Sequence, residues 1–384
     1  MVHRLVVPPN ADSGPVGSDL LESLRRELAS AVGLDLARFQ LLVGGHGRFV
    51  RVSEDLAQIA DLIPGPDGFC AIDDTATRPT WSAAYGHLLS CLLPETETGL
   101  RSILGKDYAS WLVCRDSAPD GVGRYKLFRT WVTATLPPRR AKAALRAFEF
   151  EMASPHCYAI AMYNDLRVRP MFVEADGSLC RRPVYSCRLE AAFNCLREST
   201  PFEIAVGRSD SGDLAPSATP VADGQTQVKS RSDGILAKFR SHPVSYRARV
   251  KRHGLLPVVR GDWYEQCELE RAWNAPEDPT VWDEAADAGG WERFFGPGGV
   301  LARRFGQLLV VEDVAVSITS FAAYSDVEVA ELAALGTLGI GPRGTSAAER
   351  VKILRNRDGS VTMDVNDPPG FLQVWGGGVV EAPN

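Results

Sequence analysis

The sequence lacks the features that mark membrane proteins and disulfide-rich secreted proteins. No apolar run approaches the ~18 residues that a transmembrane helix needs. No long apolar segment precedes Pro8 and Pro9, as one would in a signal peptide. The eight cysteines form no Cys-x-x-Cys pair, and no Asn-x-Ser/Thr site occurs. This pattern favours reduced, mostly buried thiols. We therefore expect a cytoplasmic protein that does not bind a membrane.

The sequence also lacks a basic excess. Its net charge is −6 over 384 residues, whereas a dedicated nucleic-acid binder normally carries a positive balance, so the composition argues against a nucleic-acid partner. Hydrophobic content of 45% and charged content of 23% are ordinary for a globular protein. Since single cores rarely grow beyond about 250 residues, we expect two or three folding units.

Residues 1–78 are predicted to form a small mixed module. The predicted elements are a strand over 4–8, a helix from the capping residue Asp19 to Gly33, strands over 39–43 and 48–52, a short helix from Ser53, and a strand over 69–72. This order resembles a ubiquitin-like β-grasp module, although no clear second strand lies between Pro9 and Ser18. The resemblance implies a β-grasp-like fold and no particular function.

Residues 79–207 are predicted to form a central α+β domain, because helices and strands interleave irregularly. The predicted helices cover 80–93, 98–104, 139–152 and 189–197, and the predicted strands cover 111–114, 125–135, 157–163 and 168–173. Residues 208–234 are rich in Ser, Asp, Gly, Pro and Thr and predict a linker, since such a composition cannot bury enough surface to fold.

Residues 235–384 are predicted to form a β-rich domain, a sheet or sandwich with one or two helices. The predicted strands cover 244–250, 308–311, 314–321, 351–354, 361–365 and 371–375. Ser325 and Glu328 have the spacing of a capping box that opens a helix. The run from Asn356 to Gly359 predicts a hairpin turn. The expected fold class of the whole chain is α+β.

Two pairs of residues are candidates for catalysis by a thiol. His87 and Cys91 lie four apart on a predicted helix, where an imidazole could stabilise a thiolate. The alternative, which we favour, is a half-buried structural pair, because free cysteine usually serves packing. His156 and Cys157 are adjacent on a predicted strand, which would direct them to opposite faces.

Two glycine-rich runs are candidates for phosphate binding. Residues 339–344 match G-x-G-x-x-G, but a predicted helix precedes them and Pro342 removes an amide that the motif needs. Residues 296–299 lack the Lys-Ser/Thr of phosphate loops. We interpret both as turns and expect no cofactor. The His and Cys residues do not cluster in the sequence as metal ligands would, so we expect no metal site.

Charge is segregated in the second half of the chain. Nine basic residues and one acidic residue lie between Lys229 and Arg260, a net of +8, and residues 262–293 carry a net of −8. Four residues of the basic stretch are candidates for an interaction: Arg247, Arg249, Lys251 and Arg252. On a strand, alternation would place the side chains of the first three on one face. We expect the basic and acidic stretches to pair with each other, within the fold or across a subunit contact, rather than to bind an external ligand.

Four tryptophans recur every nine or ten residues in the acidic stretch: Trp263, Trp273, Trp282 and Trp291. Aromatic side chains can stack on sugars or bases, but we favour a core role for them.

Two hypotheses on function remain open. The first is a non-catalytic binding or assembly protein, whose β-rich C-terminal domain and charge-segregated surface contact a protein partner or another copy of the chain. The second is a cytosolic enzyme that uses His87 and Cys91, or paired carboxylates near Asp262 and Glu265. No catalytic motif occurs in a suitable structural context, so the first is preferred.

Overall fold

The computed structural model describes most of the chain. The described residues are 15–43, 48–71, 80–94, 97–118, 123–152, 154–173, 179–196, 199–207, 238, 242, 244–276, 278–283, 290–334, 351–367 and 369–382. The predicted strand over 4–8, the predicted linker and the glycine run over 339–344 lie outside these ranges.

The chain has an α+β fold with a β-rich C-terminal region. It forms two compact units, each assembled from three separate parts of the sequence. The sheet unit comprises Met1–Arg78, Cys187–Val259 and Phe305–Val380, and the helical unit comprises Pro79–Ser186, Arg260–Arg304 and Glu381–Asn384. In the part of the chain that the structure describes, no helix combines the length and the apolar character needed to cross a membrane.

The sheet unit is organised around a nine-stranded mixed sheet. Its strands are β1 (Phe39–Val43), β2 (Arg48–Val50), β3 (Phe69–Ala71), β6 (Phe202–Gly207), β7 (Val244–Pro257), β8 (Arg303–Ser320), β9 (Val351–Arg355), β10 (Val361–Asn366) and β11 (Leu372–Glu381). The main path runs β3-β1-β11-β8-β10-β9, and β7 pairs with both β6 and β8. The strands of the predicted β-grasp-like module are part of this larger sheet, because β1 and β2 both pair with β11.

The longest described helix of the sheet unit packs on the core side of this sheet. Helix α1 (Pro15–Ala31) presents Leu24, Leu28 and Ala29 to a core that β1, β6, β7 and β8 also line. The helix begins before Asp19, so the predicted cap at that residue is wrong, whereas Gly33 follows the helix with a φ of 70° as predicted. Helix α2 (Ser53–Ala60) follows β2, and α9 (Leu189–Cys195) precedes β6.

The β-rich C-terminal prediction is confirmed. Strands β7 to β11 cover the predicted strands, and the two predicted over 308–311 and 314–321 form the single strand β8. Ser325 and Glu328 hydrogen-bond reciprocally at the start of α12 (Asp326–Ala334). The turn between β9 and β10 closes through Asn356, whose amide donates to the Ser360 carbonyl at 2.8 Å.

The helical unit contains most of the remaining helices. They are α3 (Trp81–Cys91), α4 (Glu97–Leu104), α5 (Tyr108–Asp116), α6 (Arg124–Thr135), α7 (Pro138–Met152), α8 (Pro155–Asn164), α10 (Gln266–Trp273) and α11 (Gly290–Phe295). A short hairpin pairs β4 (Met171–Val173) with β5 (Leu179–Arg181). The run over 296–299 is a turn after α11, since the amide of Gly299 donates to the Gly296 carbonyl at 2.8 Å.

Three predicted strands of the helical unit are wrong. Residues 111–114, 125–135 and 157–163 lie in α5, α6 and α8. Their aromatic and β-branched side chains favour strands locally. However, Phe128 and Val132 are buried four residues apart, on one face of a helix. Trp111 packs on Phe128 at 4.7 Å between ring centroids, which fixes that face against α5.

Candidate functional site

The antiparallel strands β6, β7, β8, β10 and β9 lie side by side and give the sheet two distinct faces. Alternate residues enter the core, and the residues between them form a polar surface that we call the outer sheet face. Three rows of register partners cross it. They are Ala205-Arg247-Ser317-Asp364-Lys352, Gly207-Ser245-Thr319-Thr362-Leu354 and Glu203-Arg249-Ala315-Asn366.

Positive charge exceeds negative charge around β7 on this face. The Nε of Arg247 lies 3.4 Å from Oε1 of Glu203, and a terminal nitrogen of Arg249 lies 3.0 Å from Oε2. The arginine side chains remain 68% and 66% exposed. Lys251 follows two residues later and is also exposed. A single carboxylate therefore faces two guanidinium groups, and each retains hydrogen-bond donors for a ligand.

The short side chains of the outer sheet face hydrogen-bond to one another. The hydroxyl of Ser317 donates to Oδ1 of Asp364 at 2.7 Å, and those of Thr319 and Thr362 lie 2.9 Å apart. These bonds join β8 to β10 above the backbone ladder. These hydrogen bonds restrain the short polar side chains that lie beside Arg247 and Arg249 on the face.

Arg252 has a different environment from the other three candidates. Its guanidinium lies 2.8 Å from Oε2 of Glu312, whose side chain is 2% exposed. Val311 and Val314 both enter the core, so the alternation of β8 is interrupted between them, where Asp313 has a φ of 53°. This interruption buries Glu312, and Arg252 serves to neutralise it.

The structure shows partners for the basic stretch that differ from those we expected. The ion pairs described for the arginines of β7 use Glu203 and Glu312, and neither carboxylate belongs to the acidic stretch over 262–293. Within that stretch, Glu268 is buried and paired inside the helical unit. For these arginines, the expected partners within the fold are therefore replaced by Glu203 and Glu312, whereas pairing of the two stretches across a subunit contact stays a prediction.

His87 and Cys91 come together on α3, and the side chain of Thr80 caps the start of this helix. The Cys91 sulfur lies 3.9 Å from Nε2 of His87. Burial raises the pKa of Cys91, and burial together with the positive charge of Arg293 lowers the pKa of His87. Both groups are therefore held neutral near pH 7. This environment does not stabilise the thiolate that nucleophilic catalysis needs.

The carboxylates near the start of α10 have a structural arrangement. The side chain of Glu265 caps the helix by accepting from the amide of Cys267 at 3.4 Å. Its backbone amide donates to the hydroxyl of Tyr85, and its carbonyl accepts from that hydroxyl. Asp262 is exposed. Glu265 thus fixes the end of a helix against α3.

A buried charged cluster in the helical unit escaped the sequence analysis. Nδ1 of His156 donates to Oε2 of Glu268 at 3.0 Å, and Arg271 donates to the same oxygen at 2.7 Å. Burial raises the pKa of Glu268, but the bonds from His156 and Arg271 outweigh it and hold that pKa below its usual value. The i, i+3 spacing of Glu268 and Arg271 was visible in the sequence. The contact with His156 depends on α8 being a helix.

Two of the four tryptophans of the acidic stretch lie in the core as we favoured, and the other two are partly exposed. Trp263 is fully buried and Trp282 is 8% exposed. Trp273 and Trp291 pack on each other, and the indole nitrogen of Trp291 donates to the carbonyl of Trp273 at 2.8 Å.

Compared with protein-family models, curated proteins and solved structures, the chain matches none of them. Among the described residues, no group of three or more His, Cys, Asp or Glu side chains is placed to hold a metal ion.

Proposed function

We propose that this chain is a non-catalytic binding or assembly protein, and that its outer sheet face binds an acidic surface of a protein partner or of a second copy of the chain. One observation carries the proposal: Arg247 and Arg249 share the single carboxylate of Glu203 while two thirds of each side chain remains exposed. A partner's carboxylates would supply the missing negative charge through charge-assisted hydrogen bonds.

The rigidity of the face supports this proposal. Guanidinium groups raised on a hydrogen-bonded sheet lose less freedom on binding than groups on a loop. Complementary charge at such a surface would accelerate encounter and select partners by sign. The enzyme hypothesis finds less support, because Cys91 and His87 are held neutral in their surroundings.

Sedimentation velocity tests the self-association form of the proposal. The full chain is compared at 50 and 500 mM NaCl with the variant R247E/R249E, which reverses both guanidinium charges. We expect an oligomer in low salt that dissociates in high salt, and we expect the variant to remain monomeric in both. Screening at high salt shortens the reach of exposed charges to a few ångströms.

A matched control separates the face from net charge. R26E/R357E changes the charge by the same amount at two exposed arginines outside the outer sheet face. This control should associate like the wild type. Loss of association in both variants, or in neither, would contradict the role of the face in self-association. Photocrosslinking from the same face tests for a heterologous partner.

A further inference from the structure

The hairpin of α6 and α7 carries a concentration of positive charge that the proposed function does not use. From Arg124 to Phe148 the sequence contains seven Arg and Lys residues and no Asp or Glu. The apolar sides of both helices enter the helical core, where the rings of Phe128 and Phe148 stack at 4.0 Å. The basic side chains are therefore left on the outside of the hairpin.

Most of these cations form no ion pair with the residues that the structure describes. Arg140 lies 3.3 Å from Asp107 and donates to the end of α4. Within the described parts of the chain, five of the others are exposed and form no ion pair. They are Lys126, Arg129, Arg139, Lys142 and Arg146.

The cations form ordered stripes along the helices. On α6, Lys126 and Arg129 lie with Thr130, Thr133 and Ala134 along one open, exposed surface. These positions follow the i, i+3, i+4, i+7, i+8 spacing of a single helix face.

On α7, Arg139, Lys142 and Arg146 occupy positions i, i+3 and i+7. They span roughly 10 Å of helix at 1.5 Å per residue. Like charges three or four residues apart destabilise a helix, and an anion bound along the two stripes would relieve this repulsion.

We propose that the α6–α7 hairpin binds the phosphate backbone of a nucleic acid without reading its sequence. Protein surfaces intersperse charges of both signs, whereas duplex DNA carries one negative charge per ~1.7 Å of its axis. The stretch from Arg124 to Phe148, which the acidic residues Glu149 and Glu151 follow only at the end of α7, is complementary to the regular negative charge of the DNA backbone. The net charge of −6 averages over the whole chain and hides this local excess.

The composition of the stripe favours a nucleic acid over a membrane. A helix that lies in a bilayer interface needs large apolar side chains beside its cations. Beside Lys126 and Arg129, α6 exposes the small side chains Thr130, Thr133 and Ala134. The large side chain that it exposes is Tyr125, at 38%, and the polar hydroxyl of Tyr125 donates to Glu149. Hydroxyl and cationic side chains are the usual contacts to phosphate oxygens.

Fluorescence anisotropy of the full chain with labelled 20-base single strands and 20-base-pair duplexes of random sequence tests the proposal, from 50 to 200 mM NaCl. The test variant is R129Q/R139Q/R146Q, because glutamine keeps helix propensity and removes charge. We expect roughly a tenfold or greater loss of affinity. For the duplex, the slope of log affinity against log salt concentration should become shallower by about 3, since three cations that contact phosphates are removed. Circular dichroism and a thermal melt verify that the variant is folded.

Two controls and three contrary results define the outcome. R26Q/R38Q/R357Q neutralises three exposed arginines of the sheet unit and should bind like the wild type. R247E/R249E should also retain nucleic-acid binding, so this proposal can fail or hold independently of the outer sheet face. No salt-dependent binding by the wild type, or unchanged binding by the hairpin variant, would overturn it. Charge-dependent binding to phosphatidylserine vesicles without binding to nucleic acid would also overturn it and identify a membrane surface instead.

Discussion

Replacing Glu268 with glutamine removes the negative charge of the buried cluster and preserves the shape of the side chain. The carboxylate is 1% exposed, and its two hydrogen-bond donors, His156 and Arg271, have side chains that are 3% and 14% exposed. Without the negative charge, both donors are left facing a neutral amide. Arg271 keeps one further bond, to the carbonyl of Leu93 at 2.9 Å.

The expected cost follows from this geometry. Removing one partner of a buried ion pair costs about 3–5 kcal/mol. The glutamine oxygen can still accept one of the two bonds, so we expect a loss near the lower end, about 3 kcal/mol. At roughly 2–4 °C per kcal/mol for a domain of this size, the Tm should fall by roughly 6–12 °C.

Urea unfolding followed by near-ultraviolet circular dichroism measures the free energy of unfolding, and calorimetry measures the Tm. The matched control is E292Q, the same chemical change at an exposed glutamate of α11. We expect the control to stay within about 0.5 kcal/mol of the wild type. If E268Q costs no more than E292Q, the cluster does not stabilise the helical unit and our interpretation is wrong.

Three further predictions follow from single contacts. The pKa of Glu268 is lowered in the folded state, so its contribution to the free energy of unfolding is complete above its unfolded pKa of about 4.3 and is lost as the pH falls through the folded pKa. The free energy of unfolding should therefore fall more steeply with decreasing pH for the wild type than for E268Q. Gly86→Ala should destabilise by about 1–3 kcal/mol in urea, although alanine is the better helix former, because a Cβ would lie 2.1 Å from the ring of Tyr163; an unchanged or increased stability would contradict the α3–α8 packing. Cys267 is the exposed thiol among eight free cysteines, so native protein should label there first, and C267S should remove the fast phase; a fast phase that survives would show that another thiol is accessible.

The β-rich C-terminal region was predictable because its signals are local and agree with one another. Strand β10 alternates buried and partly exposed residues. The turn from Asn356 to Gly359 ends on a glycine, and glycine adopts the observed φ of 88° without steric strain. Pattern and turn chemistry therefore point to the same hairpin.

The helical unit was harder to predict because its local and tertiary signals conflict. Residues 125–135 contain Tyr, Phe, Trp, Val and Thr, which favour strands, yet packing on Trp111 and Phe148 selects a helix. The error carried over to His156, which we placed on a strand and which contacts Glu268 from a helix.

The candidate site was predictable only in part. Alternation correctly placed Arg247, Arg249 and Lys251 on one exposed face. It could not identify Glu203 as their partner, because that residue lies 46 positions from Arg249 along the chain. Nor could it separate Arg252, whose direction depends on the interrupted alternation at Asp313 of the neighbouring strand.

Photocrosslinking from the outer sheet face tests the proposed function most directly. A photoreactive amino acid replaces Ala205, an exposed residue in register with Arg247, and in the control it replaces Ala37, an exposed alanine elsewhere in the sheet unit. In cells that express the chain, we predict one dominant protein adduct from position 205 that is absent from position 37 and is abolished by R247E/R249E. No adduct from position 205, or the same adduct after both arginines are reversed, would contradict a binding role for this face.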